Sequence, residues 1–147
     1  MEIAILGLGC FWGPEIKFSK VKGIIKTEVG YCGGVTKETT YKEVCTGSTD
    51  HAEVVKLEFD PQIISYKKIL EYFFEIHDPT TLNSQGPDFG TQYRSEIFYL
   101  NDNQKIIAET VKKKINEKLS DRVVTKISLV KNYCPAEEYH QRYLEKR

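Results

Sequence analysis

Residues 9 to 13 read Gly-Cys-Phe-Trp-Gly, and this joint constrains the fold more than any other segment. Ahead of it runs an apolar stretch, Ile3 to Leu8, of strand length. Behind it, residues 11–20 carry the spacing of a helix, with Pro14 tolerable in the first turn, where its missing N–H is not needed. Glycines on both sides let the backbone turn sharply. Cys10 is thereby placed between a strand end and a helix start, facing the positive end of a helix dipole. That position is expected to lower the thiol pKa and favour the thiolate. Phe11 and Trp12, the single tryptophan, offer an apolar wall beside it. A nucleophile next to a hydrophobic slot is the minimum for a small substrate pocket.

The rest of the chain is a mixed pattern of strands and helices. Residues 24–31 alternate like a strand and end in Gly-Tyr-Cys-Gly-Gly; residues 53–59 form a strand closed by Asp60-Pro61. Ser65 caps a helix to Ile76, with Ile69, Leu70, Phe73 and Phe74 on one face. A long loop, His77 to Ser95, follows; unstructured loops of that length in a compact domain are usually functional. Residues 96–100 read as a strand, 102–119 as the clearest helix, 123–130 as another strand, and Pro135 opens a last short helix to Tyr143. There is no strict βαβ alternation. The expectation is an α+β fold, a two-layer sandwich with a mixed β-sheet and flanking helices, in one catalytic domain over residues 1–147.

Charge excludes some functions. Lys plus Arg number 21 and Asp plus Glu 21, so nothing recommends a nucleic acid or an anionic membrane surface as partner. No apolar run approaches the length of a membrane span. The first ten residues lack a basic leader, so the expected compartment is the cytoplasm. Cys10, Cys32, Cys45 and Cys134 are scattered without metal-type spacing, so neither a metal site nor structural disulfides are expected.

Glu53 shares a strand face with Val55, Leu57 and Phe59. If buried there, its pKa rises and it holds a proton near neutrality, as a general acid must. Periodicity alone leaves open that it clears the core at the strand's start. Tyr41, in Thr-Thr-Tyr-Lys-Glu-Val-Cys, and Tyr93, in Gly-Thr-Gln-Tyr-Arg-Ser, are phenolic donors to a polarised oxygen. Taken singly, each tyrosine is more often amphipathic surface or core, Asp88 reads better as a turn residue, and His140 is ordinarily a solvated side chain.

Taken together, the words Cys-Phe-Trp, His-Ala-Glu-Val-Val, Gly-Thr-Gln-Tyr-Arg-Ser and the final stretch from Pro135 to Tyr143 resemble the signatures of the A-class peptide methionine sulfoxide reductases. The resemblance runs from Gly9 to Leu144. It implies reduction of methionine-S-sulfoxide, free or in proteins, as a repair activity against oxidative damage. Cys10 would attack the sulfoxide sulfur and Glu53 would supply the proton. Tyr41 and Tyr93 would bind the oxygen, and Phe11 and Trp12 would hold the methyl group. Asp88, His140 and Tyr143 would contact the rest of the substrate. No metal or organic cofactor is implied. Cys10 would be left as a sulfenic acid, reduced through Cys32, Cys134 or Cys45, or directly by thioredoxin, glutaredoxin or glutathione. The direct route is preferred, because a cysteine-bearing tail common in the family does not follow Arg147. A monomer is expected.

Three departures stand out: Pro14 where a small residue is commoner, Asp50 where glycine is common, and the end at Arg147. By the same resemblance, some relatives carry selenocysteine at position 10. Two other readings compete. In one, Cys10 is an acyl-transfer nucleophile with His51 or His140 as base, which requires an imidazole within hydrogen-bond reach. In the other, the aromatics form a peptide-binding patch without catalysis.

Overall fold

The computed structural model describes residues 1–146. Its frame is a six-stranded sheet in the order β7-β6-β1-β3-β2-β8. The strands are β1 (Glu2–Leu8), β2 (Ile24–Cys32), β3 (Ala52–Phe59), β6 (Ser95–Tyr99), β7 (Lys126–Leu129) and β8 (Cys134–Pro135). All neighbours pair antiparallel except β6 and β7, so the sheet is mixed. A separate two-stranded hairpin, β4 (Ser84–Gln85) and β5 (Asp88–Phe89), stands beside it. The helices are α1 (Trp12–Ser19), α2 (Tyr41–Thr46), α3 (Tyr66–Glu75) and α4 (Asp102–Lys118). The expected α+β architecture with a mixed sheet is observed.

The helices start where local chemistry supplies acceptors for their free N–H groups. The Ser65 hydroxyl accepts from the Lys68 amide at 3.1 Å, and the Asn101 side chain from the Gln104 amide at 2.9 Å. The main core lies on one sheet face. Leu6, Val55, Leu57, Phe59 and Ile97 meet Phe18 of α1, Ile69, Leu70 and Phe73 of α3, and Ala108 and Val111 of α4. Each fully buried aliphatic or aromatic side chain there contributes roughly 1.5–3 kcal/mol. The opposite face carries a smaller cluster, Ile5, Cys32, Ala52, Val54 and Phe98, covered by Ile3, Val130 and Tyr133.

Three expectations need correction. The stretch after Pro135 is not a helix: Cys134–Pro135 add as an edge strand to Tyr31 and Gly30, followed by one 3-10 turn, Glu138–His140. Proline suits such an edge, where its missing N–H costs no ladder bond. The strand expected over 123–130 shortens to Lys126–Leu129. The loop from His77 to Ser95 has structure of its own, the β4–β5 hairpin and a 3-10 turn at Thr91–Tyr93.

Helix α2 was not anticipated, although its signal was present. Thr40-Tyr41-Lys42-Glu43 is a capping box, and Gly47 ends the helix at φ 77°. The Thr40 hydroxyl accepts from the Glu43 amide at 3.3 Å and donates to its carboxylate at 3.2 Å.

Candidate active site

The antiparallel order gathers the C-terminal end of β1 with the N-terminal ends of β3 and β6 and the C-terminal end of β2. Residues far apart in sequence meet at this end of the sheet. Cys10 follows β1, Glu53 is the second residue of β3, Tyr93 stands just before β6, and Tyr31 is the penultimate residue of β2. Gly9 makes the exit from β1 possible. Its φ is 96°, and a Cβ there would sit 2.8 Å from the Gln85 side chain, so the β4–β5 hairpin closes directly on the turn.

Glu53 is 1% exposed and is the register partner of Tyr31, so both point to the same face. Its Oε1 accepts the Phe11 amide at 3.3 Å, while Oε2 has no hydrogen-bond partner among the described residues. Burial, helped by the Asp88 carboxylate and opposed by the Phe11 amide, raises its pKa to about 8. The open alternative at the strand's start is thereby decided: Glu53 is buried and holds a proton at neutral pH.

Cys10 departs from expectation. Its pKa is pushed up to about 11, chiefly by burial, with the Trp12 amide lowering it and Glu53 and Asp88 raising it. Desolvation outweighs the helix start, which is screened and only eight residues long. The resting thiol is neutral. Burial raises the Tyr93 pKa to about 12, with smaller contributions from Glu53, Asp88, Cys45 and Cys10. Tyr41 is raised by its neighbour Cys45 and by burial, with smaller effects from Glu53 and Tyr93.

The aromatic wall is continuous. Phe11 is 1% exposed, with its ring 5.7 Å from Tyr31 and 5.2 Å from His140. Trp12 stacks on Tyr143 at 3.8 Å, and its Nε1–H donates to His140 Nδ1 at 3.1 Å. That bond makes Nδ1 the acceptor, so the neutral imidazole carries its proton on Nε2. His140 is buried, not solvated, and lies 4.7 Å from the Tyr41 ring. Sequence reasoning found Phe11, Trp12, His140 and Tyr143, and the structure brings all four together.

Arg94 was missed. Its guanidinium is buried and donates to Glu96 at 2.6 Å, to the Thr91 carbonyl at 2.8 Å and to the Asp50 carbonyl at 3.0 Å. It thus ties the 3-10 turn carrying Tyr93 to the residue leading into β3 and Glu53. Asp50 has φ 56°, the left-handed region, which accounts for the preference for glycine there and is open to aspartate. Glu137 was also missed as a functional residue, although it lies in the final motif.

The cysteines separate clearly, and all four are free thiols. Cys32 follows Tyr31 and so faces away from Glu53; it is fully buried in the opposite-face cluster, its thiol donating to the Lys131 carbonyl at 3.4 Å. It is not positioned to approach Cys10. Cys134 is the register partner of Tyr31 and shares the site's face, one strand beyond it. Cys45 is exposed on α2, one turn after Tyr41. No imidazole hydrogen bonds to Cys10 among the described residues, so the geometry that an acyl-transfer base requires is not met. Among the described residues there is also no cluster of His, Cys, Asp and Glu that could hold a metal ion, and no helix long and apolar enough to cross a membrane.

Known proteins share this fold. A sequence model of the family described as peptide methionine sulfoxide reductase matches residues 2–147. Peptide methionine sulfoxide reductase MsrA of Pelagibacter ubique is 82% identical over 147 residues, covering 100% of each chain. Among solved structures, Mxr1 from Saccharomyces cerevisiae in reduced form superposes with a TM-score of 0.95 at 40% identity, covering 99% of this chain and 85% of that one. The same yeast protein in complex with Trx2 gives a TM-score of 0.70 at 27% identity, covering 97% of this chain and 84% of that one. The fold and its relatives define an oxidoreductase. The chain belongs to the peptide methionine sulfoxide reductase family, in its A class, and is an enzyme of that class.

Proposed function

We propose that this enzyme reduces methionine-S-sulfoxide, free or within proteins, with Cys10 as nucleophile and Glu53 as acid. The observation that carries this reading is the buried, protonated Glu53 carboxyl beside the Cys10 turn, its second oxygen left without a partner. A sulfoxide oxygen is a strong acceptor and is the group such an oxygen–hydrogen donor lacks. Tyr41 and Tyr93 add two phenolic donors, and Phe11 and Trp12 supply an apolar seat for the methyl group. Asp88 flanks the oxygen site, while His140 and Tyr143 hold the indole from behind.

The chemistry balances with these groups alone. Hydrogen bonds to oxygen withdraw electrons from the sulfoxide sulfur. The Cys10 thiol, neutral at rest, gives its proton to water, and the thiolate attacks that sulfur, forming a sulfur–sulfur bond. Glu53 gives its proton to the oxygen, and a second proton lets it leave as water. Water then adds to the Cys10 sulfur, the thioether departs with the bonding pair, and a proton is released. The net change is thiol plus sulfoxide to sulfenic acid plus methionine. No cofactor enters this scheme. The separate placement of Cys32 supports reduction of the sulfenic acid by an external thiol, and the complex of yeast Mxr1 with Trx2 favours a thioredoxin. We take the chain to act as a cytoplasmic, monomeric catalytic domain in protein repair.

The test is turnover of each pure sulfoxide epimer with dithiothreitol, by the protein and by Cys10→Ser. Turnover of the S epimer alone, abolished in Cys10→Ser, is expected. Turnover that survives the substitution would remove Cys10 from the reaction. For the recycling step, one equivalent of sulfoxide without reductant should leave a dimedone-reactive sulfenate and three thiols of the original four. Loss of two thiols to a mapped disulfide would replace the direct route by an internal one.

A further inference from the structure

Glu137, in the C-terminal segment, hydrogen bonds two other segments of the site, near the end of β2 and at the start of α2. Its Oε1 accepts the Tyr31 hydroxyl at 2.8 Å, and its Oε2 accepts the Tyr41 backbone amide at 2.9 Å. Tyr31 is wholly buried, with its ring against Phe11, and is the register partner of Glu53. One carboxylate oxygen is therefore fixed to the sheet beside the acid. The other holds the first residue of the helix that carries a proposed oxygen donor.

Helix α2 needs such a hold. It has six residues, far too few to be stable by itself. Only Val44 is buried within it, and Lys42, Glu43, Cys45 and Thr46 are exposed. Its Thr40 cap and Gly47 stop shape the helix without fixing where it sits. Placement rests on Val44, on the Tyr41 ring against His140, and on the Glu137 carboxylate. Hydrogen bonds to a charged acceptor are the stronger and more directional kind.

We propose that Glu137 is a positioning residue, clamping the first turn of α2 to the end of β2 so that the Tyr41 phenol meets the sulfoxide oxygen. This rests on the reading of Tyr41 as an oxygen donor. A small displacement of a positioned group slows the chemical step without greatly changing substrate affinity. Glutamine at 137 keeps the shape and one acceptor, but its NH2 group cannot accept the second bond.

A double-mutant cycle tests this, because Tyr41→Phe removes the phenol and leaves the backbone amide in place. The measured quantity is the single-turnover rate of methionine formation from methionine-S-sulfoxide without reductant, with thermal midpoints alongside. Glu137→Gln is expected to slow that rate about tenfold, with substrate affinity within about twofold. In the Tyr41→Phe background the same change should slow the rate less than about twofold, while the midpoint falls equally in both backgrounds. Equal slowing in both backgrounds, or no slowing in either, overturns the proposal and leaves the reading of Tyr41 intact. A Tyr41→Phe enzyme as fast as the parent overturns the reading of Tyr41, and the positioning role with it. If Glu137→Gln does not fold, Glu137→Asp, one methylene short of spanning both partners, serves in its place with the same expectations.

Discussion

Glu53, the acid in the proposed mechanism, also links stability to pH. Its pKa is 4.5 in the unfolded chain and about 8 when folded. Between those values the native state holds a proton that the unfolded state has released. Stability therefore falls as pH rises from 4.5 to about 8, by roughly 5 kcal/mol in total. Glu53→Gln removes the titration and keeps the shape. The variant should be more stable than the parent at pH 8.5 and nearly equal at pH 4.5, measured by urea midpoints at each pH. A parent whose midpoint does not move with pH would show Glu53 to be ionised or exposed. The same substitution should slow methionine formation by about 10²–10⁴-fold, the usual worth of a general acid. The pH profile follows from the pair. On the proposed mechanism, reaction needs Cys10 deprotonated, at about 11, and Glu53 protonated, at about 8. The productive fraction then rises about tenfold per pH unit and levels above pH 8, where gain of thiolate offsets loss of the acid. In Glu53→Gln the rise should continue past pH 8 without levelling.

At the scale of elements, a half-buried imidazole ties three of them. His77 Nδ1–H donates to the Phe73 carbonyl of α3 at 2.5 Å, and Nε2 accepts from the Ser95 hydroxyl of β6 at 2.7 Å. Ser95 in turn shares a hydrogen bond with Thr125, just before β7, at 2.7 Å. Burial lowers the His77 pKa from 6.5 to about 4. The unfolded chain therefore binds a proton between these values that the native state refuses. This contribution is fully present above pH 6.5 and is lost as pH falls toward 4. His77→Gln should reduce the loss of stability between pH 7 and pH 5 by about 2 kcal/mol relative to the parent. Identical pH slopes in denaturant titrations would rule that out. Arg94 is the second tie between elements. Arg94→Met leaves Glu96 a buried, unpaired charge and should cost about 3–5 kcal/mol, read as a lower urea midpoint with unchanged slope.

At the scale of the whole molecule, the site closes only when the two ends of the chain meet. The segment after β8 is held by side chains more than by a ladder. The Gln141 amide group bonds both the N–H and C=O of Val29 at 2.9 Å, and Glu15 accepts the Arg142 amide at 2.7 Å. Its two-residue strand is short, and stability is lowest where backbone pairing is sparse. Trp12, stacked on Tyr143, reports the docking of this segment, because the chain has no other tryptophan to confuse the signal. Tryptophan fluorescence should change at lower denaturant than far-ultraviolet circular dichroism, which follows the sheet and helices. Coincident transitions would show the segment to be part of the main cooperative unit.

Much of this was legible in the chain. Strand β1, the Gly9 turn, helices α3 and α4 and their caps follow from local patterns, because propensity, capping and periodicity act over a few residues. Helix α2 could have been read from its capping box. The identities of Cys10, Phe11, Trp12, Glu53, Tyr41 and Tyr93 as candidates came from short motifs. Local signals failed at the C-terminus, where pairing with β2 overrode the helix start that Pro135 proposes.

What the sequence by itself determined is the set of elements and the chemical groups they carry, since these depend on near neighbours and on side-chain type. Tertiary structure alone decided the protonation states: burial put the proton on Glu53 and also on Cys10, against the local expectation of a helix start. It decided which cysteines face the site, through strand register across β2, β3 and β8. It decided the partners of Arg94 and Glu137, which lie up to 106 positions away. Desolvation and long-range hydrogen bonding depend on what packs around a group, and that is settled only when distant parts of the chain come together.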